Sequence, residues 1–343
     1  MEEVFDKYLL AIVSEMKRYK GIKADTVFVG GGTPTVLDSG QLERLVGDIK
    51  NNFKLSSECE FSIEANPGTL NREKAEVLKN CGVNRISVGV QSFADNELFA
   101  LGRIHSAKEA YDTVNMIYDT GIKNINIDLM TSVPHQTKES LLKNLETAFS
   151  LPVTHISAYS LMLEEGTPLL GEYQSGEFSL IDDDTDRKMF DALKTKMSEN
   201  GFLRYEISNF AKAGYQSRHN INYWDAGEYI GLGLAAHSYF NGERFSNTED
   251  MDSYLTLDFE SGDRKKLSKN DMMSEFMMLG LRMTRGVSVS EFKRRFGTDI
   301  ENIYGKEIKK FTELGLMEYA DGYYRLSDRG LDISNQIMCE FLI

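Results

Sequence analysis

Cysteine is nearly missing from this chain. Cys59, Cys81 and Cys339 are scattered through 343 residues without metal-ligand spacing. They give neither a disulfide framework nor a cysteine-held metal site, and they read as buried apolar fillers. Proline is equally scarce, at five residues, and there is no low-complexity tract, so no long flexible linker is expected. Positive charge is in deficit: 39 Lys and Arg stand against 53 Asp and Glu, a formal net charge of −14. That balance argues against nonspecific binding to nucleic acid or anionic membranes, although a local basic pocket can still hold an anionic ligand. No apolar run approaches membrane-spanning length, and Met-Glu-Glu-Val-Phe-Asp-Lys at the start lacks the order of a signal peptide. The cytoplasm is the expected location.

What is present is organised around Thr26-Val27-Phe28-Val29-Gly30-Gly31-Gly32-Thr33-Pro34. Strand-forming residues run into three glycines, so a buried strand ends where backbone N–H and C=O groups lie open to a close ligand, or in a tight strand-to-helix turn that holds none. It is no Walker loop, because no Gly-Lys-Ser/Thr follows, and it does not match the dinucleotide fingerprint G-x-G-x-x-G.

An amphipathic helix opens the chain, with Val4, Phe5, Tyr8, Leu9, Ile12, Val13 and Met16 on one stripe. The strand after it is its natural packing partner. Beyond the glycines, Ser39 caps a helix, and strands follow at 60–68, 85–92, 124–130 and 155–162 with helical patterns between them. One of those helices opens on a Ser106/Glu109 capping box. Such alternation reads as consecutive βα units of a parallel sheet, closed or partly closed into a barrel. The strand ends carry Gly31, Gly32, Glu64, Gln91, Asp128 and Ser160. Each has a structural explanation: Glu64 as a helix cap, Gln91 satisfying backbone, Asp128 pairing with Arg103. Their recurrence on the edge where parallel barrels build active sites favours a shared ligand.

From about Leu163 to Gly262 the repeat stops. His219-Asn220-Ile221-Asn222-Tyr223-Trp224, followed by a glycine-rich run to His237, holds the one tryptophan and two of five histidines. Rings for stacking and an imidazole for axial ligation suit a flat aromatic ligand or metal porphyrin, with Arg204, Lys212 and Arg218 to meet carboxylates. A packed aromatic cluster explains the same composition. From Ser268 onward, three helical patterns and a hairpin about Asp321-Gly322 suggest a winged helix. With eleven Lys and Arg against twelve Asp and Glu it lacks the cationic excess of a DNA binder. The Met272, Met273, Met277 and Met278 stripe reads as core. Domains are therefore expected at 1–165, 166–265 and 266–343.

These motifs, in order, resemble the radical S-adenosylmethionine enzymes related to oxygen-independent coproporphyrinogen III oxidase. The carrying phrases are Gly30-Gly31-Gly32-Thr33-Pro34, Ile63-Glu64-Ala65-Asn66-Pro67-Gly68-Thr69, Arg85 to Phe93, Leu101-Gly102-Arg103-Ile104-His105 and Asn126-Ile127-Asp128-Leu129-Met130. His219-Asn220-x-x-Tyr223-Trp224 resembles the motif of the family's heme-chaperone branch. The resemblance implies a partial (β/α)6 barrel, then an α+β region and a winged-helix-like domain. It implies S-adenosylmethionine held by Gly31, Gly32, Thr33, Glu64, Gln91, Arg103, Asp128 and Met162. It also implies heme at His219, Asn220, Tyr223 and Trp224, with His219 as iron ligand and His237 as its rival, and a respiratory heme protein as recipient, reached through transient contact with a membrane protein. The alternative is oxidative decarboxylation of coproporphyrinogen III. The family's [4Fe-4S] cluster sits on a CxxxCxxC motif that this sequence lacks. The resemblance places that motif and the first barrel strand ahead of Met1. The expectation is an amino-terminal truncation that removes both, leaves the Thr26 strand with an unpaired edge, and prevents reductive cleavage of S-adenosylmethionine by this polypeptide.

Overall fold

In the parallel sheet, register decides what each strand offers to each side. The computed structural model describes residues 2–343. Five strands run parallel in chain order: β1 (Lys23–Val29), β2 (Lys54–Ala65), β3 (Arg85–Gln91), β4 (Asn124–Thr131) and β5 (His155–Ser160). Glu64 lies opposite Ser87, Ser87 opposite Asn126, and Asn126 opposite His155. One step along, Asp128 lies opposite Ser157. Residues level in register share a face, so these polar rows line one side of the sheet. The alternate rows Ile63–Ile86–Ile125 and Val88–Ile127–Ile156 line the other side and are fully buried. On the apolar side the βα repeat supplies α2 (Ser39–Asn52), α3 (Arg72–Asn80), α5 (Ala107–Asp119), α6 (Lys138–Ser150) and α8 (Asp183–Glu199), with short α4 (Asp95–Ala100) and α7 (Pro168–Ser175) between them. Two short antiparallel strands, β6 (Leu203–Arg204) and β7 (Asn209–Ala211), complete a seven-stranded sheet in the order β1-β2-β3-β4-β5-β7-β6.

The helix starts follow capping chemistry. Ser106 and Glu109 form the anticipated reciprocal box on α5. At α2 the cap is Asp38 rather than Ser39: its carboxylate accepts from Gln41 N while the Gln41 side chain reaches back to Asp38 N. An ionised cap also complements the positive end of the helix dipole.

The chain divides into two compact units: residues 23–204 with 208–216, and residues up to 22 with 205–207 and 217–343. The first helix, α1 (Glu2–Met16), belongs to the second unit rather than packing as expected on the strand after it. Ala11 joins Tyr254 and Phe259 in a small core, with Tyr8, Ile12 and Leu234 against it. The buried Glu15 carboxylate accepts from Gly233 N, Asn247 Nδ2 and Tyr254 Oη at 2.9, 2.6 and 2.7 Å. The same unit holds α9 (Arg218–Trp224), β8 (His237–Phe240), β9 (Glu243–Ser246), α10 (Met251–Leu255) and β10 (Lys265–Lys266). It ends in α11 (Lys269–Gly280), β11 (Val287–Ser288), α12 (Val289–Phe296), α13 (Ile300–Glu313), β12 (Met317–Ala320), β13 (Tyr323–Leu326), α14 (Asp328–Asp332) and α15 (Ser334–Cys339). The β12–β13 turn falls on Asp321 and Gly322, both at positive φ, as a tight hairpin requires. Met273 and Met277 are buried in the core of this winged-helix-like module, and Met272 and Met278 pack against it. Among the described residues no helix is long and apolar enough to cross a membrane.

Behind the polar rim of the sheet lies a fully buried carboxylate. Glu97 of α4 accepts from Ser92 Oγ (2.6 Å), Gln136 Nε2 (3.0 Å), Ser140 Oγ (2.7 Å) and Asn144 Nδ2 (2.9 Å). It thereby ties the loop after β3, the loop after β4 and α6 to one point. Glu97→Ala strands several buried donors and is expected to lower the stability of this unit by about 3 kcal/mol, read as a lower urea midpoint. An unchanged midpoint would show that those donors find other acceptors.

Candidate functional site

The C-terminal ends of β1 to β4 bring Gly31, Glu64, Gln91 and Asp128 of the expected residues to one rim. Gly31 adopts φ +86, a conformation natural to glycine, and its N–H donates to Glu64 Oε2 at 3.2 Å. A Cβ on Gly30 would lie 2.6 Å from that same oxygen, so the carboxylate and the glycine turn exclude any side chain between them. Gly32 faces open space. Thr33 Oγ1 accepts from Asn66 Nδ2 at 2.8 Å, which joins the glycine turn to the end of β2.

At the end of β3, Gln91 is buried with φ +67, a strained conformation for a side-chain-bearing residue. The strain accompanies a break in the β3–β4 register between Val88 and Gln91. Gln91 Oε1 accepts from Tyr159 Oη at 3.2 Å. Asp128 Oδ1 accepts from Asn126 Nδ2 at 2.8 Å, and Asn126 in turn donates to Ser87 Oγ at 2.7 Å. Arg103, exposed in the turn after α4, is near enough to act electrostatically on both Asp128 and Tyr159.

Electrostatics mark the rim as a place that resists negative charge. Burial raises the Glu64 carboxyl, and the nearby Asp128 raises it further, against the Gly31 hydrogen bond. Burial likewise raises Asp128, opposed by hydrogen bonds from Asn126 and Ser157 and by Arg85 and Arg103. Burial, then Asp128, push the Tyr159 phenol up to about 12. Two carboxylates, a phenol, an amide and a guanidinium beside open glycine backbone make a surface suited to a neutral or zwitterionic polyol-containing ligand. Met162 lies two residues beyond β5, which ends at Ser160 rather than 162, and is 76% exposed. Ser160 turns from the rim and donates to Asp186 at 3.0 Å. Tyr159 takes its place; its signal is the two-residue step from Ser157 along the same face.

The second expected site lies in the other unit. Ser217 caps α9 by accepting from Asn220 N. His219 and Tyr223 are four apart on one helical face, with His219 Nε2 3.1 Å from Tyr223 Oη. Their rings meet edge to face at 4.9 Å, and Tyr223 meets Tyr229 the same way at 4.5 Å. Burial, with Tyr229 adding to it, pushes the Tyr223 phenol up to about 12. Asn220 is half-buried near the start of the helix, and Trp224, at its end, lies under the Arg282 guanidinium at 4.4 Å. His237 is exposed on β8. Of the three cations expected to meet carboxylates, Arg204 lies over Phe190 and Lys212 over Phe202 within the sheet unit; only Arg218 belongs to α9.

The thiols do not suit a cluster. Cys59 is buried on β2 and donates to Glu60 O, burial raises Cys81, and Cys339 is on α15. With Cys59 on β2, Cys81 at the C-cap of α3 and Cys339 on α15, and with no three metal-ligating side chains gathered among the described residues, these thiols do not make the ligand set of an iron–sulfur group.

Because folding raises Glu64, the folded chain keeps a proton that the unfolded chain gives up. Its contribution to stability is therefore most favourable below the ordinary carboxylate range and is lost as pH rises through the raised value. Glu64→Gln keeps an acceptor for Gly31 N–H and is expected to raise the urea midpoint at neutral pH. The gain should close as the medium is acidified past about pH 4; a gap independent of pH would contradict the raised carboxyl.

Residues 5–148 match the Radical SAM superfamily and residues 267–333 the HemN C-terminal domain. Heme chaperone HemW of Bacillus subtilis (strain 168) is 37% identical over 98% of this chain and 91% of its own length. The heme chaperone HemW of Lactococcus lactis subsp. lactis (strain IL1403) is 35% identical over 98% and 90%. That of Escherichia coli (strain K12) is 31% identical over 94% and 85%. Among solved structures, coproporphyrinogen III oxidase (HemN) from Escherichia coli, a radical SAM enzyme, superposes with a TM-score of 0.84 at 19% identity. That match covers 100% of this chain and 84% of the oxidase and speaks to fold alone. The chain belongs to the HemW family of radical SAM proteins.

Proposed function

We propose that this protein binds heme as cargo at α9, binds S-adenosylmethionine at the rim of the sheet, and passes heme to a respiratory heme protein through a transient contact. The observation that carries the cargo reading is the His219–Tyr223 pair. The phenol holds one ring nitrogen of the imidazole and so orients it, as partners of heme and metal-ligating histidines do. Relatives named heme chaperone, matched by this chain over nine-tenths of their length, support it.

At the rim, Gly31, Gly32 and Thr33 would lie against the methionine part of the nucleotide, and Arg103 would meet its carboxylate. Glu64 and Asp128 would accept from the ribose hydroxyls, with Gln91 and Met162 beside the adenine. When bound, the nucleotide supplies a sulfonium centre. The thiols of this chain do not fit the cluster that would reduce it, so the rim residues are assigned binding and orientation.

Heme titration followed at the Soret band tests the cargo reading. His219→Ala is expected to weaken binding about tenfold or more and to shift the band, with His237→Ala within about twofold of wild type. Identical spectra and affinity for wild type and His219→Ala would remove His219 from the site. If His237→Ala alone loses the band, the ligand is on β8 instead.

A further inference from the structure

Heme held at α9 also needs a partner for the carboxylate edge of the porphyrin, and the assignment of that partner rests on the cargo reading. Beside the C-terminal end of α9 is a cavity of about 490 Å³. Ala226, Met272 and Phe296 give it apolar walls, and Tyr239, Lys269, Glu275 and Arg295 give it a polar edge. Glu275 is already neutralised, since Arg244 Nη2 donates to it at 2.9 Å. The Arg295 guanidinium is fixed in place: Nη1 donates to the carbonyls of Asp225 and Ala226 at 2.8 and 3.2 Å, and Nε to Glu291 at 2.6 Å. Those bonds leave Nη2 without an acceptor among the described residues. Lys269, the first residue of α11, is exposed and makes no ion pair among the described residues. An immobilised guanidinium and an uncommitted ammonium on one edge of an apolar cavity suit a flat amphiphile with carboxylates along one side.

The cavity is continuous in chemistry with the histidine. Tyr239, on its wall, pairs directly with Tyr229 through hydrogen bonds of 2.7 and 3.0 Å, so the two side chains project from the same face. Tyr229 in turn meets Tyr223, and Tyr223 meets His219. Ring contacts thus run from the imidazole to Tyr229, whose backbone partner Tyr239 lines the cavity.

The geometry points to this cavity as the seat of the carboxylate edge of the porphyrin, with Lys269 and Arg295 binding its two propionates. Iron-free protoporphyrin IX, which needs no axial ligand, and its dimethyl ester separate this contact from ligation. In fluorescence titrations of the full chain, Lys269→Glu is expected to weaken the diacid about fivefold or more and leave the ester within about twofold, with Lys269→Gln between. Lys269 is exposed, so these variants are expected to fold, and the ester serves as the internal control. Equal losses for diacid and ester, or no loss for either, overturn the assignment. Should heme binding depend on His219 while the diacid ignores Lys269→Glu, only this inference falls. Should wild type bind neither heme nor porphyrin, the cargo reading falls with it.

Discussion

The sheet unit turns on one close approach: Glu64 Oε2 sits where a side chain at position 30 would begin, and accepts from the next residue's N–H. This is possible only because β1 and β2 are parallel and level, with Val29 opposite Ile63. A slip of one residue would turn Glu64 to the apolar side of the sheet and bring Ile63 to the rim. The same register carries outward through Ser87, Asn126 and Asp128, so the polar rows and the buried isoleucine rows fix one another. The apolar face under the helices therefore determines where the polar rim lies.

The rim is costly to keep. Glu64 and Asp128 are both raised by burial, and Asp128 raises Glu64 further. Gln91 adds backbone strain at the adjacent strand end. A sequence selected for stability alone would place amides or apolar residues at these positions. The partial compensation comes from groups already fixed in the sheet: Gly31 N–H for Glu64, and Asn126, Ser157 and two arginines for Asp128. Hydroxyl donors are the groups that would complete what these contacts leave undone.

Much of this architecture is legible from the residues alone, and the rest is hidden for identifiable reasons. The βα alternation places five strands because each has an apolar row that only burial explains, and the Asp321-Gly322 hairpin follows from turn chemistry. The partner of α1 is not legible, since an amphipathic stripe says that a face is buried and not against what; the Glu15 contacts span over two hundred positions of sequence. The cap of α2 shifts by one residue from Ser39 to Asp38 because both are competent caps. At the rim, Tyr159 is hidden behind Ser160, which has the more obvious polarity but the wrong parity. Strands β6 and β7 are too short to show a period. The cavity beside α9 gathers residues from three elements and the turn after α9, and no local pattern announces such a meeting.

The motif on α9 divides by geometry into two tasks. His219 and Tyr223 share a face, whereas Trp224 is rotated about 100° from Tyr223. Its indole is covered by Arg282, whose guanidinium also stands 3.8 Å from the buried Glu206 carboxylate. Glu206 bridges to Met283, and Thr284 N donates to Tyr205 O at 3.0 Å, so residues 205–206 and 283–284 form one paired segment. Tyr205 Oη then accepts from the N–H of Ser217, the cap of α9, at 3.3 Å. Both ends of the helix are thus fastened to the same segment, one through Ser217 and Tyr205, the other through Trp224 and Arg282. The tryptophan fixes the axis of the helix, and the imidazole, held between the two fastenings, gains a defined direction that seven residues of isolated helix could not give it.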